Sequence, residues 1–108
     1  MDKALLFEQV KRKLNITWDD EDTNARIEEI INAAIPDLKH RLGIFDDSFD
    51  FSTADEENML FLAYCFYEWN HCLNEFDVNY ERMIATVRVK HEVAYYKAFE
   101  EVEDEDEE

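Results

Sequence analysis

Glu68-Trp-Asn-His71 places a carboxylate and an imidazole one helical turn apart, the spacing with which di-iron helical bundles hold metal. Such a centre needs a second Glu-x-x-His pair and two more inward glutamates. The chain has no second pair, so the other reading is a polar break at a helix end. Two acidic stretches open like calcium loops. Asp20-x-Asp22-x-Asn24 fails at the sixth position, Ala25 instead of glycine, and at the twelfth, Ile31 instead of glutamate. Asp46-x-Ser48-x-Asp50 has Glu57 at the twelfth position but Phe51 where the glycine belongs. His40, His71 and His91 stand in no Cys-His or Ser-His arrangement, and a single glycine excludes phosphate-cradling and dinucleotide loops. The residues carry no enzyme signature, and no catalytic residue, metal or cofactor is expected.

The charge balance narrows the partners. Against 28 acids stand 11 lysines and arginines, a formal net charge of −17. Residues 100–108 hold eight of those acids and no base; without them 20 acids still face 11 bases. An acidic body repels phosphate, which argues against sequence reading or tight wrapping of DNA. It suits a protein that lets DNA pass without sticking, or one that imitates DNA. No run reaches the eighteen or so apolar residues of a membrane span. Met1-Asp2-Lys3-Ala4 lacks the start of a secretory signal, so a cytoplasmic location is expected. Cys65 and Cys72, seven apart on one helix, sit roughly 10 Å from each other, too far for a bridge.

One glycine and one proline in 108 residues leave too few turn signals for a strand-rich fold. The chain reads as all-α, a small bundle of about four helices over residues 1–99, with an acidic tail at 100–108 expected to have no fixed structure. Leu6, Val10 and Leu14 mark a first helix over 3–15, closed by Lys11, Arg12 and Lys13 at its negative dipole end. A second helix is expected over about 23–42, ended by Gly43, with Pro36 forcing a kink or break near Asn32–Ile35. Ile44–Ser52 is a loop with three phenylalanines, Phe45, Phe49 and Phe51, which either cap the core or clamp a neighbour. Thr53-Ala-Asp-Glu56 has the form of a capping box and opens a helix to about Leu73. A last helix carries Phe76, Tyr80, Met83, Ile84 and Val87 on one face, and the β-branched Val87, Val89 and Val93 leave a short strand near 86–90 open.

The helix from Met59 to Trp69 organises the rest. One stripe is Met59, Leu62, Ala63, Phe66 and Leu73; a second is Phe61, Tyr64, Cys65, Trp69 and Cys72. A surface helix needs one stripe. Two stripes in so short a chain point to a helix shared between copies.

The first three helices resemble the tailed-phage head–tail connector family, also called head-completion or adaptor proteins. The resemblance rests on Val10-Lys11-Arg12-Lys13-Leu14-Asn15-Ile16, on Asp20-Glu21-Asp22, and on the helix with Ile27, Ile30, Ile31, Ala33, Ala34, Ile35, Leu38 and Leu42. It covers about residues 5–75, and Met59–Leu73 fits the family's third helix. Pro36 and the acidic tail are not part of the pattern. The resemblance implies a virion protein of the neck, assembled from the host cytoplasm as a ring, commonly a dodecamer, beneath the portal protein. There it would extend the DNA channel and seat the stopper or tail-completion protein. It implies a subunit or portal interface, for which Phe49, Phe51, Phe61, Tyr64, Trp69, Tyr95, Tyr96 and Phe99 are the candidates, with residues 93–108 as an arm toward the portal. On that reading Tyr64→Asp or Trp69→Asp weakens assembly more than folding. The competing reading is an acidic DNA mimic that inhibits a nucleic-acid-binding protein.

Overall fold

Among the described residues, three of the five helices end in the same way. The computed structural model describes residues 1–53 and 55–106, with side chains through Phe99. Its helices are α1 (Lys3–Lys13), α2 (Glu21–Leu42), α3 (Asp55–Trp69), α4 (Leu73–Asn79) and α5 (Glu81–Asp106). Just past α1, α2 and α3 stand Asn15, Gly43 and His71, all in the left-handed region at φ 58°, 64° and 58°. Each is followed by a residue whose N–H reaches back five positions: Ile16 to Lys11, Ile44 to Lys39 and Cys72 to Tyr67, at 2.9–3.0 Å. These are Schellman stops, which satisfy the orphan carbonyls of the last turn and turn the next residue inward. Ile16 and Ile44 are accordingly buried.

The starts are equally local. Asp2 accepts from the N–H of Leu5, and Asp20 from that of Thr23, each at 3.0 Å. Ala54, in the expected capping box of α3, lies outside the described residues. Pro36 sits exposed inside α2, and the helix is unbroken there. The missing donor leaves the carbonyl of Asn32 without its helical partner. Residues 86–90 are helical within α5; among the described residues there is no strand. The expected final helix is two, separated at Tyr80. The acidic tail of residues 100–108 has its side chains outside the described residues, though the backbone of α5 is helical to Asp106.

Helix α3 touches every other helix. Its fully buried Leu60, Phe61 and Cys65 meet Leu6 and Val10 of α1, Ile27, Leu38 and Leu42 of α2, Phe76 of α4 and Val87 of α5 in one cluster. The chain therefore does wrap its most apolar helix. The expectation that a second copy was required for that is corrected. α4 supplies the missing wall: Phe76 stacks on Tyr80 at 5.3 Å and meets Tyr64 edge-on at 5.5 Å.

The radius of gyration is 16.2 Å and the long axis 60 Å. A compact chain of this length would have a radius near 13 Å. The excess comes from α5. At about 1.5 Å per residue its 26 residues run some 39 Å. Val87 is its only buried residue among those described.

Candidate interaction surface

Helix α5 has two unlike faces. Met83, Ile84 and Val87 pack inward. Val89, Val93 and Tyr96 recur at helical spacing on the side roughly opposite Val87, and all three are exposed. Tyr95 and Phe99 flank them, each about half open at 52% and 54%. Phe45, 71% exposed, leans on Tyr95 with ring centroids 5.3 Å apart. Gly43, Ile44, Phe49, Ala94 and Ala98 complete a groove beneath that pair. Scattered apolar residues are ordinary on a surface, but a run along one projecting helix is a contact face in need of a cover.

Two polar ties hold α5 to the body before it leaves. The side chain of Glu57 is buried, and its Oε1 takes Lys90 Nζ at 2.7 Å and His91 Nε2 at 2.8 Å. Burial pushes the Glu57 carboxyl up. The hydrogen bonds from Lys90, its own backbone and His91, with the Lys90 charge, outweigh that and hold it below its ordinary range. Arg88 Nη1 donates to the carbonyl of Arg41 at 3.4 Å, at the end of α2.

The expected interface residues divide. Phe51 and Phe61 are fully buried and stack at 5.0 Å, and Tyr64 is 4% exposed. These three belong to the core of their own chain and not to an interface, so the assembly phenotype expected of Tyr64→Asp becomes an unfolding phenotype. Tyr64 donates to Asp37 Oδ2 at 2.5 Å, and its hydroxyl is pushed well up by burial and by that carboxylate. Asp37 also holds Arg41, which bridges on to Asp77. Phe49 is half-buried between Phe51 and the edge of His91. Trp69 is half-buried too. The Arg26 guanidinium lies 4.2 Å over its ring and donates to its carbonyl at 2.7 Å. Only Tyr95, Tyr96 and Phe99 stand on open surface, and they stand together.

The sequence leaves Phe45 open between capping the core and clamping a neighbour, and Val89 and Val93 open between helix and short strand; none of the three stands among the interface candidates. The signal for Phe45 was available. In a Schellman stop the residue after glycine turns into the core, as Ile44 does, so the next one faces away. Met59 and Phe66, assigned to the first stripe of α3, are exposed, while Phe61, Tyr64 and Cys65 of the second are buried.

The metal-like spacings have other employment. His71 ends α3 in the left-handed region, with Arg26 Nη2 3.1 Å from its Nε2, a cation where a metal would compete. Asp46 Oδ1 accepts from both the N–H and the hydroxyl of Ser48, and Asp50 Oδ1 does the same with Ser52. Those bonds hold both carboxyls below their ordinary range. Burial drives the Cys65 thiol up to about 12, and Cys72, half-buried, is raised as well. No family model matches the chain, and neither a curated protein nor a solved structure is significantly similar to it.

Proposed function

We propose that this chain is a structural assembly protein that docks on a larger particle through α5, and that the particle is a tailed-phage neck, where it acts as a head–tail connector. One observation carries the docking: α5 leaves the body with Val89, Val93, Tyr95, Tyr96 and Phe99 uncovered. A monomer that was finished alone would gain by making those positions polar. The neck comes from the resemblance of residues 5–75 to the connector family. The portal protein, sister copies and the stopper are then the partners, and the acidic body borders a channel that DNA crosses without binding. Catalysis has no part in this reading.

The DNA-mimic alternative draws on the same charge. A mimic needs carboxylates held free at phosphate spacing. Asp37, Asp46, Asp50 and Glu57 are instead engaged by Tyr64 and Arg41, Ser48, Ser52, and Lys90 with His91.

The test is electron microscopy of phage particles carrying a labelled copy of the full chain. Label at the neck is expected, and its loss in a Val93→Asp/Tyr96→Asp variant that keeps its helical signal. Particles without the label, or a variant that is incorporated normally, would overturn the reading.

A further inference from the structure

Helix α1 ends on Lys11, Arg12 and Lys13. The other basic run, Lys39-His40-Arg41, is occupied: Arg41 by Asp37 and Asp77, Lys39 by the carbonyl of Asp46. The α1 run is not. Lys11 has Asp19 only at 4.0 Å, and among the described residues Arg12 and Lys13 have no carboxylate within that distance. Both are exposed, and Arg12 borders a shallow recess shared with Glu8, Lys11, Asn15, Ile16 and Thr17. On a chain of net charge −17, two adjacent exposed bases without a carboxylate, next to a mostly covered Lys11 that Asp19 holds at 4.0 Å, are a place for an acidic segment.

The chain has such a segment in residues 100–108, and its root lies at the other end of the body. Lys11 meets Asp19, so the bases sit by the start of α2. Arg88 reaches Arg41, and Ala98 lines the groove with Gly43, so α5 departs past the end of α2. The 22 residues of α2 separate those ends by about 33 Å. Among the described residues α1 and α5 do not touch. Nine residues fully extended span about 30 Å. A tail folding back on its own α1 would be used up in covering the distance.

We propose that residues 100–108 of one copy dock on Arg12 and Lys13, at the end of α1, of the next, so that copies join head to tail. Two unlike patches at opposite ends of one subunit make a heterologous contact, which closes into a ring or runs on as a filament according to its rotation. Whole-body repulsion between copies acts over tens of ångströms and is screened at about 0.15 M salt, whereas touching charges are screened less. This builds on the ring reading by naming the contact between copies. Docking through α5 at the neck does not involve Arg12 or Lys13, so the two can fail separately.

The experiment is sedimentation of the full chain over a range of concentrations, with helical signal checked for each form. Wild type should gain mass with concentration at about 0.15 M salt and lose that gain near 1 M. Arg12→Glu/Lys13→Glu should weaken association roughly tenfold or more. Glu103→Lys/Glu105→Lys/Glu107→Lys should do the same. An equimolar mixture of the two should recover it, because each now supplies the charge the other lacks. A wild type that stays monomeric throughout, reversed forms that associate undiminished, or a mixture that stays apart would each overturn the proposal.

Discussion

His91 Nε2 lies 2.8 Å from Oε1 of Glu57, a contact between residues 34 apart in sequence. It ties α5 to the first turn of α3 shortly before α5 leaves the body. Lys90 shares the same oxygen, and the ring of Phe49 meets His91 edge-on at 5.5 Å. A buried carboxylate thus fixes the direction in which the exposed half of α5 leaves. Its position follows from the sequence, since Glu57 falls on the inward side of α3 one turn before Phe61.

Glu57→Gln should lower stability by about 1–3 kcal/mol, because Lys90 and His91 are left with a neutral, weaker acceptor. The pH dependence has a definite direction. The Glu57 carboxyl sits below its ordinary value of 4.5, so its contribution is complete above that value and is lost as pH falls through the lower, folded one. Lys90 is held above its ordinary 10.5, so its share persists below 10.5 and is lost as pH rises beyond it. Urea midpoints followed by circular dichroism from roughly pH 3 to 7 should fall steeply at the acid end for wild type and less steeply for Glu57→Gln. Equal acid slopes would remove Glu57 from the account.

Phe61→Ala and Phe45→Ala remove the same ring from opposite environments. Phe61 is fully buried against Phe51, so its loss should cost about 3–5 kcal/mol. Phe45 is 71% exposed and touches little besides Tyr95, so its loss should stay within about 0.5 kcal/mol. Chemical denaturation of both variants measures the difference. A Phe45 variant as unstable as the Phe61 variant would mean that the groove beside α5 belongs to the core.

Pro36→Ala should stabilise the chain by about 1–2 kcal/mol. The substitution restores an N–H to the carbonyl of Asn32 in an exposed stretch of a continuous helix, less the entropy that proline removes from the unfolded chain. A loss of stability would show that α2 depends on its proline for its packing on α3.

The helices were legible because their stops and stripes are local. Leu6 and Val10, Ile27 to Leu42, and Met83 to Val87 all bury the face their spacing selects. Which side of α3 faces inward was not legible. Apolar residues lie nearly all the way round it, so periodicity gives no direction, and the short α4 that covers Tyr64 was read as part of its neighbours. Of the interface candidates, those on α5 sit at the surface because a helix that touches the body on one side leaves its other side open. Phe51 and Phe61 are buried because four helices and a loop close over them. Burial in a small bundle is a property of the whole packing, which the spacing within one helix does not contain.

His71 carries the last prediction. It ends α3 at φ 58°, where a side chain with a Cβ is strained by about 1–2 kcal/mol and glycine is not. Gly43 does the same service for α2 without that cost, and Asn15 for α1 with a residue that tolerates it better. His71→Gly should therefore raise stability by about 0.5–1 kcal/mol after the extra freedom of glycine in the unfolded chain is subtracted. Gly43→Ala should lower it by about 1–2 kcal/mol through backbone strain alone. The added Cβ would meet Arg88 and Glu92 only at ordinary contact distances, 3.5 and 3.6 Å. Thermal melts of the two variants should move in opposite directions. If His71→Gly melts lower, the contact between its imidazole and Arg26 contributes more than the strain removed, and His71 is kept at the end of α3 for that contact and not merely tolerated there.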